Sequence, residues 1–257
     1  MRRARSGALA TLAIGAALCA IAGCASRKQS QTSAEVLLNE RMAAVLLREG
    51  RVRDAEVAYR EALRSDSRNP DLHDGLGVAL LTQGRTRESA EEFDRAVKLD
   101  SGKALYRIHR GMARADLGRY AEAEEDFRTA DASASAEDRL DVAVSRGRMR
   151  QRQGDFAGAE EQFAAALARD PRSFDALLGR GVARESRGNF AAAAEDYLEA
   201  VRLQPKSPEA NLRLGLALVT LKKKALGRRY LERAVELDPG GDAGTKARLV
   251  LESNPGS

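Results

Sequence analysis

The sequence has no tryptophan, only 4% aromatic residues and two cysteines among 257 positions. So few aromatic side chains argue against one dense globular core. Ala, Leu, Gly and Glu are abundant instead, a composition dominated by helix formers. The formal net charge of +5 includes Arg2, Arg3 and Arg5, which lie in a segment that we expect to be removed. The remaining charge is too small to indicate nucleic-acid binding.

The first 24 residues have the pattern of an export signal. The basic stretch MRRAR (1–5) precedes an uncharged apolar run (6–23) that ends in IAGC (21–24). IAGC resembles the bacterial lipobox. This resemblance implies a signal peptide over 1–23 and acylation, for example with palmitate, of Cys24. Ala25 favours the outer membrane, facing the periplasm, as the destination. A plain secretory signal or an uncleaved anchor remain alternatives.

The two cysteines are both accounted for by this segment. Cys19 lies in the apolar run, and Cys24 is the predicted site of lipidation. We therefore expect no disulfide, no free thiol and no cysteine metal ligand in the mature protein. The polar stretch that follows, within 24–35, lacks apolar periodicity and is predicted to be a flexible tether.

The rest of the chain repeats one segment at a nearly constant interval. GRYAEAEEDFRTA (118–130) is echoed by GDFAGAEEQFAAA (154–166) and GNFAAAAEDYLEA (188–200). The first position of this segment, spaced by 34, 34, 36, 34 and 34 residues, is Gly50, Gly84, Gly118, Gly154, Gly188 and Lys222. Nine residues after it stand Tyr59, Phe93, Phe127, Phe163, Tyr197 and Leu231. Seven residues before it stand Ala43, Gly77, Gly111, Gly147, Gly181 and Gly215.

The spacing predicts two helices per unit, joined at the recurring glycine. Small residues allow the paired helices to approach closely, and the large residue fills the space between units. The pattern resembles the tetratricopeptide repeat. The resemblance implies an all-α, right-handed superhelical solenoid with a short C-terminal capping helix within 242–257. The six predicted repeats are 36–69, 70–103, 104–139, 140–173, 174–207 and 208–241.

Two sets of polar residues are candidates for catalysis or ligand binding. Arginine pairs spaced by four residues could clamp a phosphate: Arg110 and Arg114, Arg146 and Arg150, Arg180 and Arg184. Sixteen residues after the first arginine of two pairs stand Asp126 and Asp196, which favours ion pairs within repeats instead. In the fourth repeat this position is Gln162, so we expect Arg146 to pair with Glu161 or with a neighbouring repeat.

The two histidines, His73 and His109, belong to different repeats and are expected on helix surfaces. No GxGxxG, phosphate-binding loop or HExxH motif occurs. We predict no enzymatic activity, no cofactor, no metal and no small-molecule substrate.

The family resemblance implies a concave groove lined by the first helix of each repeat. Transferred to this sequence, it predicts a partner-binding groove at Leu37, Leu81, Leu105, Ile108, Met112, Arg148, Arg152, Leu178, Val182, Leu212 and Leu216. Many of these are apolar, which indicates a protein partner. Alternatively, some pack against adjacent helices. The chaperone-tail clamp of the family needs Lys and Asn where this chain has Glu40 and Ala44, so that activity is not implied.

A basic patch stands out in the sixth repeat, with no acidic residue among its members. It consists of Lys222, Lys223, Lys224, Arg228 and Arg229. The patch is either a degenerate, solvated terminal repeat or a contact for anionic lipid, peptidoglycan or an acidic partner.

An exported lipoprotein with these repeats resembles the pilotins of type IV pilus systems. That resemblance implies a lipid-anchored scaffold that assists secretin assembly, with a secretin subunit as its protein partner. Residues 131–139, between the third and fourth repeats, carry two extra residues, where pilotins have a similar insertion. The alternatives are a Tad (Flp) pilus assembly lipoprotein or an adaptor that recruits peptidoglycan enzymes.

Overall fold

The computed structural model describes residues 36–253. The predicted signal peptide, Cys24 and the tether lie outside the described residues, as do residues 254–257. Within the described range the chain forms thirteen helices and no strand, which confirms the all-α fold. In this part of the chain no helix is both long and apolar enough to cross a bilayer.

The chain divides into two compact units after Ser101. The described part of the first unit consists of α1 (36–48), α2 (Val52–Ser65), α3 (Pro70–Thr82) and α4 (Thr86–Leu99). The described part of the second consists of α5 (Ala104–Asp116), α6 (Tyr120–Ser133), α7 (Ala136–Arg152), α8 (Phe156–Arg169), α9 (Phe174–Ser186), α10 (Phe190–Leu203), α11 (Pro208–Thr220), α12 (Lys224–Leu237) and α13 (Asp242–Ser253).

The turns between paired helices use left-handed backbone at one residue. Five of these residues are glycines with φ between 75° and 81°: Gly50, Gly84, Gly118, Gly154 and Gly188. In the sixth turn the residue is Lys222, with φ of 59°. Left-handed backbone costs a residue with a side chain about 1–2 kcal/mol, so the sixth turn is strained where the other five are not.

The large residue of each second helix packs against the small residue of the first. A Cβ atom added to Gly77 would lie 2.5 Å from the Phe93 ring, and one on Gly181 would lie 2.4 Å from the Tyr197 ring. Both rings are buried. Burying such a side chain stabilises the fold by about 1.5–3 kcal/mol. The predicted alternation of small and large residues therefore holds the helix pairs together.

Helix α7 is longer than the first helices of the neighbouring repeats. It has 17 residues, whereas α5 and α9 each have 13. The Ser135 hydroxyl accepts from the Asp138 backbone N–H, and the Asp138 carboxylate accepts from the Ser135 N–H. This reciprocal cap starts the helix early. The two extra residues therefore lie near an extended helical N-terminus, and the repeat boundary predicted at 140 falls inside α7.

Candidate functional site

The arginine pairs of the third and fifth repeats enclose buried carboxylates. Asp126 is only 2% exposed and accepts from Arg110 Nη2 at 2.6 Å and from Arg114 Nη1 at 2.7 Å. In the fifth repeat, Asp196 accepts from Arg180 at 2.7 Å and from Arg184 at 2.9 Å. The predicted ion pairs within repeats are confirmed. Because each carboxylate already occupies the arginine clamp, these clusters serve to hold the two helices of a repeat together.

The fourth repeat pairs its arginines differently. Arg146 donates to Glu124 at 3.0 Å and lies 3.5 Å from Asp131, both in the preceding helix α6. The neighbouring repeat therefore supplies the partner, which confirms the second of the two expected alternatives. A similar link joins α8 to the next repeat, where Arg184 donates to Glu160 at 2.9 Å. This hydrogen bond lowers the pKa of Glu160 below its ordinary value.

His73 is buried, contrary to the expected surface position. Its Nδ1 lies 2.7 Å from Glu92 Oε2, and its Nε2 lies 3.1 Å from the Ser67 carbonyl oxygen. The ring therefore links α3 to α4 and to the preceding loop. His109 is half-buried. Between residues 36 and 253, no group of three or more His, Cys, Asp or Glu side chains could hold a metal ion.

Two residues of the predicted groove are inaccessible. Ile108 and Leu212 are 1% and 3% exposed. Ile108 belongs to a core cluster with Phe127 and Val142, and Leu212 belongs to one with Leu231 and the α13 residue Ala247. The prediction is corrected for these two positions because α7 and α13 cover the helix faces on which they lie.

The other apolar groove residues differ in accessibility. Leu37 is exposed, whereas Leu81 and Leu105 are half-buried without belonging to a core cluster. Four are half-buried against core clusters of the second unit: Met112, Leu178, Val182 and Leu216. For all seven residues a role in partner binding stays a prediction. The four that contact core clusters also fit, in part, the alternative that groove residues pack against adjacent helices.

The two predicted groove arginines form ion pairs between repeats. Arg148 donates to Asp175 at 2.9 Å, and Arg152 lies 2.7 Å from Asp116. Both arginine side chains remain partly exposed to solvent. Burial raises the pKa of the Asp116 carboxyl above its ordinary value, although Arg152 acts in the opposite direction. These arginines join the first helices of successive repeats and still face solvent.

Helix α1 exposes four large apolar side chains, of which the groove prediction included only Leu37. Leu37, Leu38, Met42 and Val45 are between 41% and 65% exposed. The last three are spaced by four and three residues and therefore share one helix face. That spacing was visible in the sequence, but it is also typical of a buried face. A contiguous exposed apolar face usually marks a protein-binding site.

The basic patch lies on the surface. Lys222, Lys223, Lys224 and Arg229 are exposed, whereas Arg228 is half-buried and pairs with Glu232 at 2.9 Å. Leu226, on the first turn of α12, is 41% exposed beside them. The patch thus combines positive charge with an accessible apolar side chain.

Sequence comparison identifies the repeat directly. A family profile described as "Tetratricopeptide repeat" matches residues 41–104, 75–138, 144–208 and 185–242. No curated protein matches the sequence.

Similar folds occur among solved structures. PilF of Pseudomonas aeruginosa has a TM-score of 0.65 and 18% identity, over 86% of this chain and 99% of its own. PilW, described as a widely conserved type IV pilus biogenesis factor, has a TM-score of 0.70 and 18% identity, over 84% and 98%. A chain of the APC/C hetero-tetramer Cut9–Hcn1 has a TM-score of 0.71 and 15% identity over 83% of this chain, which spans only 42% of that one. At these identities the likeness shows the fold.

Proposed function

Since this chain belongs to the tetratricopeptide-repeat family, we propose that it is a lipid-anchored scaffold of the bacterial envelope that assists secretin assembly in a type IV pilus system. Proteins of this family bind other proteins. In the proposal, acylated Cys24 holds the repeats at the periplasmic face of the outer membrane. A secretin subunit is the partner.

The observation that carries the pilus proposal is the fold likeness to PilF and PilW over nearly their whole lengths. Cut9–Hcn1 matches with a similar score, but there this chain spans less than half of the other. The export signal and the IAGC sequence at 21–24 add support because a scaffold that reaches an outer-membrane secretin must leave the cytoplasm and stay near that membrane.

The proposal predicts that deleting the gene abolishes secretin multimers. Secretin rings resist heating in detergent, so the measurement is an immunoblot of secretin from outer-membrane fractions. We expect monomers to remain while multimers are lost, with recovery on expression of the wild-type chain. A Cys24→Ala chain should leave the outer-membrane fraction and fail to restore multimers, whereas Cys19→Ala should restore them.

Unchanged multimers in the deletion strain would overturn the pilus proposal but not the scaffold function. Full recovery with the Cys24→Ala chain would overturn the lipid anchor alone. The two parts of the proposal are therefore tested separately by one set of strains.

The exposed face of α1 is the proposed surface for the secretin subunit. Leu38→Glu combined with Met42→Glu should weaken capture of secretin monomers by the purified protein about tenfold or more, because charge then replaces apolar contact area. Both side chains are already exposed, so we expect the helical content and melting temperature to stay unchanged. Val57→Glu, in the similarly exposed position on α2, is the matched control and should bind normally. If the wild type, the double variant and the Val57→Glu control bind secretin equally, the partner does not bind to this face of α1.

A further inference from the structure

The turn between α11 and α12 departs from the other turns in two ways that both oppose folding. Lys222 takes the left-handed conformation that five other turns assign to glycine. Lys223 and Lys224 stand at the N-cap and the first position of α12, where the helix dipole disfavours positive charge. The N-cap residues of α2, α4 and α6 are arginines as well, but each of them pairs with an acidic residue three positions later. In α12 that position is Leu226, so Lys223 has no such partner. A local sequence that opposes folding at several points is typical of a functional site.

No described carboxylate neutralises the positive charges of this turn. Within residues 36–253, Lys222, Lys223, Lys224 and Arg229 form no ion pair with a carboxylate, in contrast to Arg228. Many other arginines of the second unit, including Arg180 and those described above, pair with an acidic side chain of the chain. The basic turn, defined as Lys222–Lys224, therefore presents charge that an external partner could neutralise.

An apolar cleft opens beside the basic turn. It lies among α10, α11 and α12 and has a volume of about 280 Å³. Its lining includes Leu198, Leu218, Leu226 and Tyr230, together with Lys223 of the basic turn. Pockets for drug-sized molecules have volumes of about 300–1,000 Å³, so this cleft suits one or two side chains better than a separate small molecule.

The shape and charge of the surface favour a peptide segment over a membrane. A bilayer is entered by protruding apolar side chains, whereas this surface is recessed and accepts a protruding side chain from its partner. Glu195, on α10, also lines the cleft, whereas the basic turn lies at the start of α12. A uniformly anionic surface would meet that carboxylate, but a segment with its acids at one end would avoid it.

We propose that the α10–α12 cleft and the basic turn together bind an acidic segment of a partner protein. One apolar side chain of the segment, such as leucine or phenylalanine, enters the cleft beside Leu226. Acidic residues on one side of that anchor contact Lys222, Lys223 and Lys224. Glu195 fixes the direction of the segment by repelling acids from the other side. This site is separate from α1 and does not depend on the pilus assignment.

The test uses selection of random displayed peptides on the purified full chain. Enriched peptides should contain an apolar anchor with Asp or Glu on one side only. Labelled copies of these peptides are then titrated against variants by fluorescence polarisation. We expect Lys222→Glu, Lys223→Glu, Lys224→Glu together to weaken binding about tenfold, and Leu226→Asp alone to do the same. Raising the salt concentration should weaken wild-type binding as well.

Matched controls separate the site from general charge and stability effects. Reversing the exposed lysines Lys98, Lys206 and Lys246 changes the net charge equally and should leave binding unchanged. Leu249→Asp, at another exposed leucine, should also bind normally. Lys222→Gly restores the residue of the other turns, so it should raise the melting temperature while weakening binding. Because this variant should be more stable and yet bind more weakly, misfolding cannot explain its weaker binding.

Three outcomes would overturn the proposal. Enriched peptides that lack acidic residues or lack an apolar anchor would contradict the proposed type of ligand. If the basic-turn variant and its lysine control bind equally, the peptide does not bind at the basic turn. If no peptide is enriched but the wild type sediments with phosphatidylglycerol vesicles, and the basic-turn variant does not, the surface binds membrane and no peptide segment.

Discussion

Replacing Phe163 with alanine should lower the free energy of unfolding by about 3–5 kcal/mol. The ring is fully buried and lies between two glycines: a Cβ atom would lie 2.8 Å from it on Gly147 and 2.4 Å from it on Gly179. These glycines belong to the first helices of the fourth and fifth repeats. Neither has a side chain that could fill the space left by the ring, so the variant keeps a cavity and loses contacts on both sides.

Urea denaturation followed by circular dichroism measures this loss. Phe156→Ala, at the half-buried start of the same helix, is the control and should cost only about 1 kcal/mol. Hydrogen exchange should show faster opening of α7 and α9 in the Phe163 variant because repeats contact mainly their neighbours. If both substitutions lower the free energy of unfolding equally, the recurring large residue of the second helices does not hold the repeats together.

The buried large residue of each second helix was predictable because it recurs in every repeat. One buried residue such as Phe163 gives no signal alone, but six large residues at a fixed distance from a turn residue do. The same logic predicted the contact of Arg110 with Asp126 because the spacing of sixteen residues recurs between Arg180 and Asp196. Where the pattern occurs once, the prediction failed. His73 contacts Glu92 over nineteen residues, and no second repeat offers a comparison.

The candidate groove was less predictable because it depends on features outside each repeat. Family positions place Leu212 in the groove, but α13 covers it with Ala247. The apolar face of α1 shows the reverse case, in which a face with the spacing of a buried one is exposed. Its spacing resembles that of a buried helix face, and only the structure shows that Leu38 and Met42 remain exposed. Exposure depends on which neighbour is present, and the repeat pattern does not encode this at the ends of an array.

The second large effect is expected at Asp126. Asp126→Ala should lower the free energy of unfolding by about 3–5 kcal/mol, because the largely buried guanidinium groups of Arg110 and Arg114 lose the carboxylate they share. Glu125→Ala, in the preceding position of α6, is the matched control. Glu125 pairs with Arg128 at 2.6 Å in solvent, and such exposed pairs contribute about 0–1 kcal/mol. Urea denaturation at neutral pH measures both variants.

A third protein distinguishes the cost of breaking the cluster from its net contribution. Replacing all three members, as Arg110→Met, Arg114→Met and Asp126→Leu, removes the buried charges together and puts apolar volume in their place. Its free energy of unfolding should lie within about 2 kcal/mol of the wild type, because the charges pay a desolvation penalty that their attraction largely offsets. If the triple variant is as unstable as Asp126→Ala, the ion pairs are a net source of stability. If it is not, their contribution lies in fixing how the two helices of the repeat align, since a shared carboxylate accepts two arginines in one register and an apolar contact does not require one.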